Sequence, residues 1–354
     1  MTPTRVCVAG PLTLSLVMGP LAHEPRLGEE QFVSESALTP GGSGVQAVAM
    51  ARLGLDTELV TTIGIDEAGA VVRDMLVRDG VDLTWATRVP RQTVTASLAM
   101  GADRALTTFG SLDVPPLTVI TERPSALASE LHVVGANIDT IASWRHGIGE
   151  GETPTWVLCG CRWDATGEWK SSDLTALDEV DMFVLNQIEA ANYTHKSSDI
   201  DALRQLAWHT PGVIITRGNL GAVAIIEDEE INLPAAPAQA VDTTGAGRPF
   251  TAALVWAKMR GLSGRAGLSM ALLASAKSTE KVGSLSGVPT LQELQEWTLK
   301  RDVPEGYDLS FLDIDDADGN GIPDHLEAPQ DDERHESGFE SAEDIADDLA
   351  SDDD

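Results

Sequence analysis

Cysteine is scarce in this chain, at three residues in 354. Cys7, Cys159 and Cys161 cannot build a disulfide framework, and Cys159-Gly160-Cys161 has no partner pair for zinc. They read as packing residues. The seven His show no paired metal spacing and are assigned no role. Long apolar runs are missing too: none reaches the roughly 18–20 residues a membrane helix needs. Met1 to Ala9 carries one Arg and a short strand-like run, which does not make a secretory leader, so a reducing cytoplasm is expected. Positive charge is the third shortage. Lys and Arg total 24 against 56 Asp and Glu, for a net charge of −32. No basic stripe stands out, which argues against nucleic acid as a partner.

The charge is unevenly spread. From Arg301 onward 21 acids stand against two Arg, among Ser and Gly and few apolar residues. That is too little apolar surface to offset chain entropy. Residues 301–354 therefore read as an acidic, mostly disordered tail, and residues 1–300 as one domain. In the domain, Val6–Gly10 is a buried first strand. Leu12–Met18 and Gln31–Leu38 alternate as a half-exposed sheet does, and Thr93–Met100 with Ala105–Phe109 reads as a hairpin. Val45–Leu53 and Glu67–Arg78 read as helices around a strand at Leu59–Gly64. From Leu131 the rhythm is strand then helix, with short buried strands at Leu131–Val134, Thr155–Leu158, Met182–Leu185 and Val213–Thr216. Parallel strands joined by crossover helices are the natural result.

The most informative stretch is Val241-Asp242-Thr243-Thr244-Gly245-Ala246-Gly247-Arg248-Pro249-Phe250. Small residues precede an apolar run to Met259 that reads as a helix. Gly245, Ala246 and Gly247 would point unpaired N–H groups, backed by the positive helix end, at a phosphate-like anion. Pro249 suits the first helical turn, where its missing N–H costs nothing.

The decapeptide resembles the signature of the ribokinase-like (PfkB) carbohydrate kinases, D-T-x-G-A-G-D, and further motifs follow in family order. Gly41-Gly42 with Gln46 to Gly54 is similar to the first signature, and Gly64 to Gly69 to G-x-D-x-x-G. Asn186-Gln187-Ile188-Glu189 matches N-x-x-E, Thr216 to Gly221 matches T-x-G-x-x-G, and Gly283 to Pro289 resembles the loop over adenine and a monovalent cation. The resemblance covers about residues 4–300. It implies a three-layer α/β/α sandwich with a mostly parallel sheet, and a small β lid from strands around 11–38 and 93–109. It also implies ATP or ADP with Mg²⁺ at Asn186, Glu189, Thr216, Gly218 and Gly221, a monovalent cation at Asp242 and Thr244, and pairing of two copies through the lid.

The departures carry as much weight. Where the family has its proton-accepting Asp, this chain has Arg248. The usual sugar-binding Asp after the first strand is replaced by Ser15. The sugar-contacting Asn beside Gly41 and Gly42 falls on Val45. The resemblance then implies an impaired kinase that binds a nucleotide or other anion and serves regulation or assembly. An active kinase of altered substrate would need another carboxylate at the cradle, such as Asp66 or Asp103. A scaffold subunit would keep an empty site and use the tail to recruit a protein partner. The motif residues also have plainer readings: Arg248 as filler of a dead pocket, Asn186 and Glu189 as a helix cap, Thr216 to Gly221 as a turn, Asp242 as a cap.

In the tail, Asp316 to Glu327 fits the calcium-loop pattern D-x-D-x-N-G-x5-E. Side chains of Asp316, Asp318, Asn320, Asp324 and Glu327, with the carbonyl of Ile322, would surround Ca²⁺. Phe339 to Leu349 places apolar residues at helical spacing among acids, suited to a grooved basic partner.

Overall fold

The computed structural model describes residues 5–100, 103–120, 124–131, 141, 155–164, 166–243, 245–281 and 283–315. In chain order the strands are β1 (Arg5–Ala9), β2 (Leu12–Gly19), β3 (Glu35–Gly42), β4 (Asp56–Val60), β5 (Thr62–Gly64), β6 (Thr87–Val89), β7 (Val94–Met100), β8 (Asp103–Phe109), β9 (Ala126–Glu130), β10 (Trp156–Gly160), β11 (Met182–Asn186), β12 (Gly212–Thr216), β13 (Ala222–Ile226) and β14 (Glu229–Leu233). The α-helices are α1 (Ser43–Arg52), α2 (Glu67–Arg78), α3 (Gln187–Thr194), α4 (Asp199–Leu206), α5 (Gly247–Met259), α6 (Gly264–Ser278) and α7 (Leu291–Leu299).

The core sheet has eight strands in the order β14-β13-β12-β11-β10-β9-β1-β4. It is parallel from β4 to β12, and β13 and β14 add an antiparallel edge. Its parallel strands are apolar along nearly their whole length because both faces are covered; Val6, Cys7, Val8 and Ala9 of β1 have no exposed surface. Cys7 and Cys159 lie in one apolar cluster with Leu127, Phe183 and Ile215. A separate four-stranded sheet, β3-β2-β7-β8, forms the lid.

Four sequence-based boundaries move. The strand expected at Leu131–Val134 is β9, Ala126–Glu130, and Leu131 is already helical. Ala126 pairs with both Val6 and Trp156, which sets the strand five residues earlier than expected. The strand expected at Gln31–Leu38 runs from Glu35 to Gly42, since β2 pairs with it along its full length, Leu12 opposite Gly42 and Gly19 opposite Glu35. Leu59–Gly64 is divided between β4 and β5. The compact unit spans Met1–Leu312, past the boundary expected at residue 300, and Asp313–Asp354 form a second unit. Phe311 and Leu312 are buried, and the Tyr307 hydroxyl donates to the Pro234 carbonyl at 2.6 Å. Asp316, Asp318, Asn320, Ile322, Asp324 and Glu327, and the apolar stretch after Phe339, lie outside the described residues.

Among the described residues no helix is long and apolar enough to cross a membrane.

Candidate functional site

Four neighbouring parallel strands deliver their carboxyl ends to one edge of the sheet, where open α/β folds place their ligands. Strand β9 ends at Glu130, β10 at Gly160, β11 at Asn186 and β12 at Thr216. The start of α5 carries the small-residue turn. Gly245 has φ of 78°, and a Cβ there would come within 2.9 Å of the Ser284 Cβ, so only glycine fits. An added Cβ on Gly247 would meet nothing within 4 Å, so this turn faces open space. The Ala246 N–H donates to the Thr243 carbonyl at 3.3 Å and that of Arg248 to the Gly245 carbonyl at 2.9 Å. The Gly245 and Gly247 N–H groups have no partner among the described residues, and no side chain caps the helix. Two free donors at the positive end of a buried helix suit an anion.

Arg248 begins the first turn of α5 and reaches back across the site. Its Nη2 donates to Glu130 Oε1 at 2.9 Å, with side-chain exposures of 32% for Arg248 and 6% for Glu130. Glu130 escaped the sequence reading. A lone acid closing the run Ala126-Leu127-Ala128-Ser129, at a strand's carboxyl end, was the available signal.

Asn186 and Glu189 do form a helix cap. The Asn186 side chain accepts from the N–H groups of Ile188 and Glu189, and Glu189 Oε2 accepts from the Asn186 N–H at 2.8 Å. Burial pushes the Glu189 carboxyl above the usual carboxylate range, against the pull of the Asn186 N–H and the Arg248 charge. Cys161 lies next to it, and burial pushes its thiol strongly upward, as suits a packing residue.

The turn after β12 is as tight as its glycines require. Gly218 and Gly221 have φ of 56° and 87°. A Cβ on Gly221 would sit 2.1 Å from the Leu233 carbonyl oxygen, whereas one on Gly218 would meet nothing within 4 Å. Thr216 Oγ1 turns back to the Leu185 carbonyl at 3.4 Å. Asp242 Oδ2 accepts from the Gly283 N–H at 2.9 Å, tying the segment before α5 to the loop after α6; Thr244 lies outside the described residues.

On the lid, the Ser15 hydroxyl lies 3.0 Å from that of Thr13. A Cβ on Gly41 would come within 2.1 Å of Thr13 Oγ1 and 2.3 Å of Ser15 Oγ, and one on Gly42 within 2.2 Å of the Pro11 carbonyl oxygen. Both glycines are there for close approach. Val45 is buried in α1 and offers no hydrogen bond. Asp66 is not a carboxylate at the cradle: its Oδ1 caps α2 through the Gly69 N–H at 3.0 Å and also takes the Gln92 N–H at 3.1 Å. The Asp103 side chain lies outside the described residues.

A cleft of about 270 Å³ opens at the amino ends of β10 to β12, between Trp156, Met182, Gly212 and Lys258. None of the residues singled out from the sequence lines it.

The family model for the pfkB family carbohydrate kinases matches residues 5–291. A ribokinase from Bacillus subtilis (strain 168) is 25% identical over 302 residues, which cover 82% of this chain and 98% of that protein. Among solved structures, a putative ribokinase II from E. coli in complex with ATP and Mg²⁺ superposes with a TM-score of 0.71 at 16% identity, covering 84% of this chain and 100% of the other. A ribokinase from Cryptococcus neoformans in complex with ADP gives a TM-score of 0.65 at 21% identity, with 84% and 100% covered. The fold is therefore ribokinase-like.

Proposed function

Because the chain belongs to the pfkB family of carbohydrate kinases, we propose that it is a nucleotide-binding member in which phosphoryl transfer is strongly impaired. The single observation that carries this reading is the ion pair between Arg248 and Glu130 at the head of α5. Phosphoryl transfer depends on positioning, on charge stabilisation and on a carboxylate that accepts the hydroxyl proton. An Arg stays protonated at any working pH and cannot accept that proton. Losing general-base help costs about 10²–10⁴-fold in rate.

The nucleotide side supports binding. The free N–H groups of Gly245 and Gly247 suit terminal phosphates, and the open backbone at Gly218 suits a ligand lying close over the chain. Asn186 and Glu189 stand at the next strand end, where Mg²⁺ on the phosphates would be met through water. When bound, Mg²⁺ would neutralise phosphate charge. The chain's own residues hold and orient the phosphates, and none of those described at the cradle is a free carboxylate.

The test is isothermal titration with ATP and ADP, with and without Mg²⁺, alongside a coupled assay of ADP release over hours. Micromolar binding without ADP release is expected. Robust ATP-dependent phosphorylation of any sugar or nucleoside by wild type would sink the proposal, and absent binding would favour a scaffold. One observation favours an active kinase as a second reading: Glu130 is a carboxylate beside the cradle, and its release from Arg248 would supply a base. In that case Glu130→Gln would abolish turnover.

The lid belongs to the same reading. Leu14, Leu16, Leu38, Val94 and Phe109 share the lid face opposite Ser15, and Leu38 and Phe109 are 52% and 57% exposed. Two copies meeting through this face would cover it. A dimer in light scattering is expected, and Leu38→Glu/Phe109→Glu should convert it to a monomer. A wild-type monomer at tens of micromolar would exclude lid pairing.

A further inference from the structure

The lid's other face holds a feature with no charged member. Strand register aligns Thr39 of β3, Ser15 of β2, Thr95 of β7 and Thr108 of β8 in one cross-strand row. Thr95 Oγ1 lies 3.0 Å from Thr108 Oγ1, and Thr13 Oγ1 lies 3.0 Å from Ser15 Oγ on the same face. The row ends at the cradle: Thr39 Oγ1 is 3.4 Å from Ser284 Oγ, and Ser284 packs on Gly245. Hydroxyls both donate and accept, so this row suits a polyhydroxylated ligand but supplies no formal charge.

The charge comes from Arg248, three residues after the Gly245 that Ser284 packs on. Arg248 uses one of its five N–H donors, Nη2, on Glu130. Its Nε and Nη1 have no partner among the described residues, and a third of the side chain is exposed. Glu130 is almost fully buried behind it. It neutralises the guanidinium and fixes its direction, while the second N–H of Nη2 is left to pair with Nε or Nη1 as a two-donor fork. A carboxylate or phosphate is the group such a fork recognises with two parallel bonds. A neutral sugar hydroxyl would leave part of the fork unsatisfied.

Building on the nucleotide-binding reading, we propose that the ligand held between the lid's hydroxyl row and Arg248 is an oxyanion-bearing polyol, a sugar acid or a sugar phosphate, in preference to a neutral sugar. The polyol hydroxyls meet Ser15 and Thr95, with Thr39 buried behind them. The oxyanion meets the two-donor edge of Arg248 that Glu130 leaves open, beside the positive end of α5.

The experiment titrates the full chain with ribonate, ribose 5-phosphate and ribose, each without nucleotide and again at saturating ADP and Mg²⁺. At least one of the two anions should bind on the order of tenfold or more tightly than ribose in both conditions, and which one wins identifies the oxyanion. Arg248→Met should erase the preference, Arg248→Lys should keep part of it, and Glu130→Gln should strengthen anion binding by removing the carboxylate charge that offsets the guanidinium. Glu130→Gln keeps the test readable if Arg248→Met fails to fold. Equal affinity for ribose and both anions overturns the proposal, as does a preference that survives Arg248→Met. A preference lost at saturating ADP also overturns it, because the anion was then occupying the phosphate cradle. If ADP binds and no polyol does, this proposal fails and the nucleotide reading stands. If ADP fails to bind while the anion preference persists, the nucleotide reading falls alone.

Discussion

Replacing Trp256 with Ala is expected to cost about 3–5 kcal/mol of stability, the range for emptying a buried Trp site. Trp256 has no exposed surface and sits in α5, the helix that packs on both α6 and α1. The Arg260 guanidinium lies 5.4 Å from its ring centroid. Its Nε1–H has no hydrogen-bond partner among the described residues although the atom is buried. That detail separates two substitutions. Trp256→Phe removes the orphan donor, which recovers about 1–3 kcal/mol against the smaller cavity it leaves. It should therefore cost less than half of what Trp256→Ala costs. The consequence extends to function, since α5 carries Gly247 and Arg248 at its other end. Looser seating of the helix would blur the cradle, so Trp256→Ala should weaken ATP binding while Trp256→Phe largely spares it. Urea midpoints by circular dichroism and titration with ATP check both statements. A Trp256→Ala protein within about 1 kcal/mol of wild type would show that α5 is not anchored here.

Sequence legibility followed the physics of each element. Strands β1, β11 and β12 could be read because parallel strands covered on both faces are continuous apolar runs bounded by polar or glycine residues. The tight turn ahead of α5 was legible because few residue types adopt φ of 78°, as Gly245 does. Strand β9 was not. Ala126-Leu127-Ala128-Ser129-Glu130 has no β-branched residue, and only pairing with β1 and β10 makes it a strand. Its last residue was missed with it, and the partners of the Arg248–Glu130 contact are 118 positions apart. Composition could not have joined them; the crossover topology does. The hydroxyl row depends likewise on register, and sliding β3 by one residue would turn Thr39 to the other face. Residues 301–312 misled because their apolar content is low, yet buried Phe311 and Leu312 and the Tyr307–Pro234 hydrogen bond hold the segment to the domain.

Arg248 and Glu130 should prove coupled by about 1–2 kcal/mol in a double-mutant cycle. Arg248→Met strands a carboxylate that is 6% exposed. An unpaired buried carboxylate typically costs about 1–3 kcal/mol, and more if no water reaches it. Glu130→Gln costs less, because the amide oxygen still accepts from Nη2 and the part-exposed guanidinium is solvated. The double variant removes both charges and should fall well short of the summed losses. Additivity within about 0.3–0.5 kcal/mol would mean the two side chains do not interact in solution. The pair also decides what the family-like residue can do here. Arg248→Asp would set a second carboxylate against Glu130, and two carboxylates sharing a site cannot both ionise freely, so one holds its proton. The shared proton can sit on either acid, so Arg248→Asp alone presents an ionised acceptor at residue 248 only part of the time. It is therefore expected to release less ADP than Arg248→Asp/Glu130→Gln, which leaves one ionised acceptor beside Gly247. If Arg248→Asp alone released ADP as fast as the double variant in the presence of a sugar, Glu130 would not be the constraint, and the impairment would rest on residue 248 by itself.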